Sequence, residues 1–306
     1  MKVKLPINIL GLMSGTSLDG IDLAICQFTA ESEFQILKTK TYSYNQEWVQ
    51  SLKRSIGLTA KKFIKLDHDY GLYLGNIINN FLDETNIKVD IIASHGHTIF
   101  HEPKSGFSTQ IGNINDIHRV TNIPVINDFR SLDVAFGGSG APLVPIGDME
   151  LFPNYTCLNL GGIANISFTQ KNQVTAFDIC PFNLLFNHYA EKQGLKYDNR
   201  GEIAAQGQPH QQLLNRLNEI HYYKHPSSLD KTWVFEMFIP LIDSFSISVE
   251  DILNTLCKHY IIQISQYSNK QEWIVTGGGA WNSYFIQQLS TIVKIKPIST
   301  ELVDFK

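Results

Sequence analysis

The amino-acid sequence predicts an α/β protein of two domains, and three observations support that prediction. Apolar runs of strand length end in glycine-rich or polar turns, and a longer apolar run has helical periodicity. The chain has 306 residues, which is enough for about two domains with large buried cores. Hydrophobic residues make up 43% of the chain and charged residues 18%, proportions typical of a globular protein.

The first predicted element is a glycine-rich hairpin. The run Leu10-Gly-Leu-Met-Ser-Gly-Thr-Ser-Leu-Asp-Gly-Ile-Asp22 joins strand-like stretches at residues 7–10 and 21–28. Glycine lets a backbone approach a ligand closely, and successive turn N–H groups form a site suited to an anion. The glycine spacing matches neither the Rossmann nor the P-loop motif. Taken alone, such a hairpin is more often an ordinary turn than a binding site.

A helix and two buried strands follow. Apolar residues recur at three- and four-residue steps over residues 61–82, which predicts an amphipathic helix. Short apolar runs at residues 90–94 and 123–127 predict strands. Ligand sites in open α/β sheets lie beyond the carboxyl ends of strands. We therefore expect the polar residues after these strands to lie at a functional edge, namely His95, Asp128 and Arg130.

The domain boundary is predicted from a stretch rich in glycine and proline. Residues 137–145 have the composition of a linker. The sequence therefore predicts an N-terminal lobe over residues 1–136 and a C-terminal lobe over residues 137–306. In the second lobe, helical patterns run over residues 183–192 and 248–268.

Two more glycine turns follow the first hairpin in the sequence, and together the three indicate a function. They are Leu158-Asn-Leu-Gly-Gly-Ile-Ala-Asn-Ile-Ser-Phe168 and Trp273-Ile-Val-Thr-Gly-Gly-Gly-Ala-Trp-Asn-Ser283. In order, the three turns resemble the phosphate-1, phosphate-2 and adenosine motifs of the actin-like and sugar-kinase superfamily. The resemblance implies a two-lobed, ribonuclease H-like fold with an ATP cleft between the lobes. The residues implied to bind the nucleotide are Gly15, Thr16, Ser17, Leu18, Asp19, Gly20, Gly161, Gly162, Asn165, Gly277, Gly278 and Gly279.

Longer motifs indicate one branch of that superfamily. The chain resembles anhydro-N-acetylmuramic acid kinases over roughly residues 7–306, and the matching segments are residues 11–20, 94–103, 110–112, 127–133, 137–145, 158–165 and 277–279. The resemblance implies an enzyme that uses ATP and Mg²⁺. Such an enzyme opens the 1,6-anhydro bridge of its sugar with water and phosphorylates O6. The product is N-acetylmuramic acid 6-phosphate, formed in cell-wall recycling.

The resemblance also implies the catalytic residue. Asp178 aligns with the family's catalytic base, although an Asp that closes a strand is otherwise more often a turn or helix cap. The family commonly has Asp-Thr-Gly-Pro-Gly-Asn, whereas this chain has Asp178-Ile-Cys-Pro-Phe-Asn183 and lacks both glycines. Cys180 is a poor candidate for a catalytic thiol, because no base is paired with it in the sequence.

The sugar-binding residues implied by the resemblance are His95, His97, Asp128, Arg130 and Asn183. Arg130 suits a carboxylate or a phosphate, so its ligand is either the substrate's lactyl carboxylate or the nucleotide. At Asp128 and Arg130, a surface ion pair is the alternative interpretation. The spacing of His95 and His97 also invites a zinc site, but no third ligand motif follows and we do not favour it.

Composition limits the partners and the compartment. A net charge of −4 and a pI near 6.2, without a basic run, argue against nucleic acid. The N-terminus has no long apolar segment, and the four cysteines form no C-x-x-C pair. We therefore expect a cytoplasmic protein that has a small-molecule sugar as partner and no contact with membranes. A homodimer is one option that the sequence leaves open.

Two further departures from the family keep alternatives open. Met13 stands where other superfamily members have a metal-associated Asp, so the metal ligands are unassigned. Residues 301–306 resemble the entry to the family's final helix, and we expect the rest of that helix to be absent from this chain. One alternative is a kinase for another sugar, motivated by Ile179, Cys180 and Phe182. The other is a nucleotide-binding non-enzyme, either a truncated pseudokinase or an actin-like assembly protein.

Overall fold

Each half of the chain contains a mixed β-sheet with its own hydrophobic core. The structure is a computed structural model that describes residues 4–15, 18, 20–170 and 173–305. Its backbone divides into two units between Val144 and Pro145, within the glycine- and proline-rich stretch 137–145. The cores of the two units are separate clusters of apolar side chains, one within residues 10–125 and the other within residues 158–295.

The sheet of the N-terminal unit is built on the predicted glycine hairpin. Its strands are β1 (Ile7–Ser14), β2 (Ile21–Ala30), β3 (Glu33–Tyr42), β4 (Ile91–Glu102), β5 (Phe107–Ile111) and β6 (Val125–Ile126). The order is β3-β2-β1-β4-β5, and β6 also pairs with β4. Strands β1, β2 and β3 pair antiparallel, whereas β4 pairs in parallel with both β1 and β6. The carboxyl ends of β1 and β6 therefore lie towards the same edge of the sheet.

Strand β4 is longer than the sequence predicts. The predicted strand ends at residue 94, but β4 continues to Glu102, so His95 and His97 lie inside it. The reason is a change of partner, because β1 pairs with β4 as far as His97 and β5 pairs with it from His97 onward. At the change-over Gly96 has φ +68°, and a Cβ there would overlap the carbonyl oxygen of Ile111. Only glycine fits that position.

The helices of the N-terminal unit are α1 (Gln46–Arg54), α2 (Ala60–Thr85), α3 (Ile114–Thr121) and α4 (Ser131–Ala135). Helix α2 confirms the helix predicted over residues 61–82. One face of it buries Tyr70, Leu74, Ile78 and Phe81 against the sheet. Helix α3 packs closely on α2. A Cβ added at Gly75 would lie only 2.8 Å from the Val120 side chain, so the absence of a side chain at Gly75 permits this contact.

The C-terminal unit repeats the strand arrangement of the first. Its strands are β7 (Tyr155–Leu160), β8 (Ile163–Gln170), β9 (Gln173–Pro181) and β10 (Glu272–Thr276), in the order β10-β7-β8-β9. Strands β7, β8 and β9 pair antiparallel, and β10 joins β7 in parallel. In both units, therefore, an antiparallel meander is followed by a strand that pairs in parallel with its first member. A glycine turn follows β7, and another follows β10.

Helices make up much of the rest of the C-terminal half of the chain. They are α5 (Val144–Leu151), α6 (Asn183–Glu191), α7 (Gln211–Asn218), α8 (Lys231–Asp243), α9 (Val249–Ser265), α10 (Ser283–Ser290) and α11 (Thr300–Phe305). Helices α6 and α9 confirm the helical patterns predicted at residues 183–192 and 248–268, apart from their ends. Helix α9 begins after Ser248, whose side chain accepts a 3.1 Å hydrogen bond from the Asp251 N–H.

The motif that contains Asp178 differs from the prediction in its secondary structure. The sequence predicts that the strand ends at Asp178, but β9 runs on to Pro181 because Ile163 and Ala164 of β8 pair with Pro181 and Cys180. The register shifts between Ala164 and Asn165, so that Asn165 lies opposite Asp178. Asp178 is therefore held inside a paired strand rather than in a loop.

The residues that replace the family's glycines lie in the core. Cys180 and Phe182 are both fully buried. The Phe182 ring lies 5.1 Å from the ring centroid of Phe186, 5.4 Å from that of Tyr260 and 4.8 Å from that of Phe285. Such edge-to-face and tilted contacts are favourable for aromatic rings. Phe182 therefore joins α6, α9 and α10 to the end of the sheet.

We expect Phe182→Ala to lower the free energy of unfolding of the C-terminal unit by about 3–5 kcal/mol, because it removes a fully buried ring and leaves a cavity. Chemical denaturation followed by fluorescence measures this change. The control is Phe136→Ala, since the Phe136 side chain is 86% exposed and its loss should cost about 0.5 kcal/mol or less. Equal stability of the two variants would show that the Phe182 cluster does not hold this unit together.

Candidate active site

The first glycine turn is a tight connection between β1 and β2. The Leu18 N–H donates to the Gly15 carbonyl at 3.2 Å, and Leu18 has φ +60°. A Cβ at Gly20 would lie 2.7 Å from the Tyr42 carbonyl oxygen, so the exit from the turn accepts only glycine. Thr16, Ser17 and Asp19, which the resemblance assigns to the nucleotide, lie outside the described residues.

A chain of buried hydrogen bonds supports the end of β1. Ser14 Oγ lies 2.9 Å from His97 Nδ1 and 2.6 Å from the Tyr44 hydroxyl, which in turn lies 2.5 Å from the Tyr70 hydroxyl. The His97 side chain is only 4% exposed, and burial lowers its pKa to about 4. His97 is therefore neutral at physiological pH. It supports the first glycine turn through its hydrogen bond with Ser14, the last residue of β1. Its contact with a sugar stays a prediction.

His95 forms a separate pair with Arg130. The Arg130 Nε–H donates to His95 Nε2 at 3.0 Å, and Nη1 donates to the Gly140 carbonyl at 2.7 Å. His95 Nδ1 lies 3.0 Å from the Gly96 carbonyl oxygen, so these bonds assign its proton to Nδ1. Burial lowers the pKa of His95, and the nearby Arg130 charge lowers it further. A neutral imidazole thus orients a charged guanidinium.

Asp128 has a local structural role. It has φ +57°, its carboxylate accepts a 3.2 Å hydrogen bond from the Ser131 N–H at the start of α4, and its side chain is exposed. The structure thus brings together His95 and Arg130, with Asp128 two residues before the arginine. Among the described residues, no group of three or more His, Cys, Asp and Glu side chains is close enough to hold a metal ion.

In the C-terminal unit, the two glycine turns converge on Asn183. The Asn183 Nδ2 donates to the Leu160 carbonyl at 3.1 Å, and its backbone N–H donates to the Gly161 carbonyl at 3.2 Å. A Cβ added to Gly278 would lie 3.9 Å from that same Nδ2. Asn183 therefore lies between the turn after β7 and the turn after β10.

The glycines of these turns differ in what they require. Gly277 has φ +81°, and a Cβ at Gly279 would overlap the Phe182 ring, so neither position accepts a side chain without strain. At Gly161 and Gly278 an added Cβ would meet only ordinary contacts or open space. The packing of the protein itself therefore does not require glycine at Gly161 or Gly278.

A cavity of about 520 Å³ opens beside Gly278 and Gly279. Its volume is that of a typical small-molecule site. Its other lining residues are Asn183, Phe186, Asn187, Tyr197, Asp198, Asn199, Arg200, Trp281 and Asn282. Asn183 and the glycines are among the site residues predicted from the sequence, whereas Tyr197, Arg200 and Trp281 are not. The sequence feature that could have indicated this cavity is Trp281, an aromatic residue three positions after Gly278. In the structure, the Trp281 Nε1–H donates a 2.7 Å hydrogen bond to the Asp304 carboxylate.

Asp178 is half-buried, and one of its carboxylate oxygens has a defined partner. Its Oδ2 accepts a 2.8 Å hydrogen bond from the Leu229 N–H. Burial raises the pKa of Asp178, and the Leu229 bond opposes that change. Oδ1 accepts no hydrogen bond from any residue that the structure describes. Asp178 is therefore a carboxylate with an available oxygen and an increased affinity for a proton.

Two α/β units whose strands β1, β7 and β10 each lead into a glycine turn have the fold of the actin-like and sugar-kinase class. The family model for anhydro-N-acetylmuramic acid kinase matches residues 7–302, and the chain belongs to that family.

Known relatives agree with this membership. The chain is 36% identical over 318 residues to an anhydro-N-acetylmuramic acid kinase of Shewanella sp. (strain ANA-3), covering 95% of this chain and 85% of that protein. It is 32% identical over 314 residues to the anhydro-N-acetylmuramic acid kinase of Haemophilus influenzae, covering 92% of this chain and 82% of that protein. Among solved structures, an activator of 2-hydroxyisocaproyl-CoA dehydratase from Clostridium difficile matches 97% of this chain and 91% of its own. The TM-score of that match is 0.47 and the sequence identity is 13%, so we draw no conclusion from it. In the described part of the chain, no helix has both the length and the apolar character needed to span a membrane.

The burial of His97 predicts a pH dependence of stability. Its pKa is about 4 in the folded protein and about 6.5 when unfolded, so the folded state binds fewer protons between these values. The stability that neutral His97 contributes is complete above pH 6.5 and is lost as the pH falls towards 4. We expect His97→Gln, measured by denaturation from pH 7 to pH 4, to reduce this acid-induced loss by about 2–3 kcal/mol.

The comparison variant is His118→Gln, which removes an exposed imidazole from the same unit. If wild type and His97→Gln lose stability equally between pH 7 and pH 4, His97 does not become protonated on unfolding in this range.

Proposed function

We propose that the protein is an ATP-dependent anhydro-N-acetylmuramic acid kinase. It opens the 1,6-anhydro bridge of its sugar with water, transfers the γ-phosphoryl group to O6 and releases N-acetylmuramic acid 6-phosphate and ADP. Membership of the family over residues 7–302 supports this activity, and the role of the product is in cell-wall sugar recycling. The observation that supports a catalytic role for Asp178 is that its half-buried carboxylate has one available oxygen.

Asp178 is the general base in this proposal. Its free oxygen accepts a proton from water as the water oxygen bonds to the anomeric carbon. The bond between that carbon and O6 breaks, and O6 takes the γ-phosphoryl group as ADP leaves. A base acts best when its proton affinity is raised without loss of ionisation at the working pH. Burial and the Leu229 N–H act in these two opposite directions on Asp178.

The nucleotide is proposed to lie against the glycine turns of the C-terminal unit. Gly161, Gly162 and Gly278 offer exposed or half-exposed backbone without side chains, which permits close approach of phosphates. The cavity beside Gly278 and Gly279 has room for a nucleoside, and Tyr197 and Trp281 in its wall offer aromatic faces. In the other unit, Gly15, Leu18 and Gly20 are proposed to bind phosphate, with Thr16, Ser17 and Asp19.

The sugar-binding assignment rests on His95, Arg130 and Asn183, with Asp128 and His97 as supporting residues. Arg130 uses Nε and Nη1 within the protein, and its Nη2 has no hydrogen-bond partner among the described residues. A guanidinium held in this way is prepared for an anion. That anion is either the lactyl carboxylate of the sugar or a phosphate of ATP, as the sequence already leaves open.

Mg²⁺ is proposed to accompany ATP, since it neutralises phosphate charge during phosphoryl transfer. Magnesium is usually held by phosphates, water and one or two carboxylates. The position in the first hairpin where the superfamily has an Asp offers only the half-exposed thioether of Met13, which is a poor ligand for this ion. That position does not fit the metal.

A kinase for another sugar is not favoured by the structure of the altered motif. The three residues that motivated it, Ile179, Cys180 and Phe182, are buried in the core of the C-terminal unit. Their side chains therefore change packing rather than a surface open to substrate. Burial also raises the pKa of the Cys180 thiol well above its ordinary value, which rules against a thiolate nucleophile there.

We expect Asp178→Asn to lower turnover by about 10²- to 10⁴-fold, the usual effect of removing a positioned general base. Affinity for ATP should stay within a few-fold of wild type, because the change is confined to the base. ADP release in the presence of the anhydro sugar, with the product identified by mass spectrometry, measures turnover. Asp83→Asn, an exposed carboxylate of α2, is the control. Turnover near the wild-type value would refute the role of Asp178.

We expect Gly278→Ala to weaken ATP binding by about tenfold or more at unchanged melting temperature. The added methyl group meets only Asn183 at 3.9 Å within the protein, so its effect falls on a bound ligand. Gly147→Ala is the matched control, since a Cβ there meets nothing within 4 Å and lies in α5. Calorimetric titration with ATP checks this result. Unchanged affinity in Gly278→Ala would place the nucleotide elsewhere.

A further inference from the structure

The outer edge of β9 is covered at Asp178 by a short segment. Strand β9 is the last strand of its sheet, so no strand among the described residues lies along one of its sides. Residues 227–229, here called the edge segment, lie along that side. The Asp178 N–H donates to the Ser227 carbonyl at 2.9 Å, and the Leu229 N–H donates to the Asp178 carboxylate at 2.8 Å. The edge segment therefore contacts both the backbone and the side chain of Asp178.

The hydroxyl of Tyr222 joins the edge segment to β9. It donates a short hydrogen bond to the Asp178 carbonyl. It also accepts from the Ser227 N–H at 3.3 Å and lies 3.1 Å from the Ser227 carbonyl. The ring is half-buried, with its centroid 5.8 Å from that of Trp233 and 5.5 Å from that of Tyr223. Packing thus directs one hydroxyl at Asp178 and at the edge segment together.

We propose that Tyr222 is a positioning residue for Asp178, which it serves by holding the edge segment so that the Leu229 N–H meets the Asp178 carboxylate. This inference rests on the proposed role of Asp178 as general base. Tyr222 itself has no part in the proton transfer. The Tyr222 hydroxyl is hydrogen-bonded to backbone groups of Asp178 and Ser227. Through the edge segment, Tyr222 controls the orientation and the ionisation of the Asp178 carboxylate.

Loss of the hydroxyl has a defined electrostatic consequence. The Leu229 N–H favours the ionised carboxylate, so a looser edge segment leaves burial less opposed and raises the pKa of Asp178. The titratable groups that face Asp178 among the described residues are Tyr222 and Cys180. Burial raises the pKa of both, so both are neutral near pH 7 and neither masks the titration of Asp178.

The test is Tyr222→Phe, with kcat and kcat/KM measured from pH 5 to pH 9. We expect kcat at pH 7 to fall by about five- to tenfold, the effect of losing one hydrogen bond. The acidic limb of the profile should move up by as much as about one pH unit, because fewer Asp178 carboxylates are ionised. KM for ATP should remain unchanged. Tyr267→Phe is the matched control, since its ring contacts Phe177 next to Asp178 but its hydroxyl bonds to no described residue.

A second pair of variants tests the Leu229 N–H directly. Leu229→Pro removes the amide donor, whereas Leu229→Ala keeps it and shortens the same side chain. We expect the acidic limb to shift in Leu229→Pro and to stay at its wild-type position in Leu229→Ala. A merely structural role of the edge segment predicts instead that both variants lose stability and that neither moves the limb.

Asp178→Asn, measured in parallel, separates the two proposals. If Asp178→Asn keeps near wild-type turnover, the proposal that Asp178 is the base fails. If Asp178→Asn is inactive but Tyr222→Phe has the wild-type acidic limb and kcat, the positioning role of Tyr222 alone is overturned. Support for both requires that Asp178→Asn is inactive and that Tyr222→Phe and Leu229→Pro, but not Tyr267→Phe and Leu229→Ala, shift the limb.

Discussion

The close packing of the turn after β10 on the end of β7 is the constraint on which the rest of the C-terminal unit depends. Gly279 lies so near the Phe182 ring and Leu160 that no larger residue fits. That contact brings the third glycine turn to the second and leaves Asn183 between them, bonded to the Leu160 carbonyl. The cavity beside Gly278 is lined by residues of this same region, including Asn183 and Gly279. Phe182 is buried within the protein and contributes to this arrangement only through packing.

The N-terminal unit reaches a comparable arrangement with polar groups. Its β1 and β4 pair in parallel as β7 and β10 do, and a glycine turn follows β1. Here the end of the strand is held by the hydrogen bonds from Ser14 to His97 and Tyr44. Buried polar groups contribute when they have hydrogen-bond partners, and Ser14 supplies one for Nδ1 of the neutral His97. Two units with the same strand arrangement thus secure their turns by different chemistry.

The surroundings of Asp178 combine a strand, a core and an edge. Strand β9 fixes its backbone, the buried Cys180 and Phe182 anchor the residues after it, and residues 227–229 meet its carboxylate. Burial and a single N–H act in opposite directions on the pKa of Asp178. The side chains that depart from the family motif, Cys180 and Phe182, are both accommodated in the core.

The sequence by itself determined the α/β class, helix α2 and the glycine turns, because periodicity and turn chemistry are local properties. The catalytic role of Asp178 stays a prediction from the family resemblance. The sequence did not determine where β4 and β9 end, since each is extended by a partner strand that offers further hydrogen bonds. Only the tertiary structure decided that His97 is buried and neutral, that Phe182 lies in the core and that Tyr222 is bonded to Asp178. Burial and partners from distant parts of the chain control these properties, and no local pattern records them.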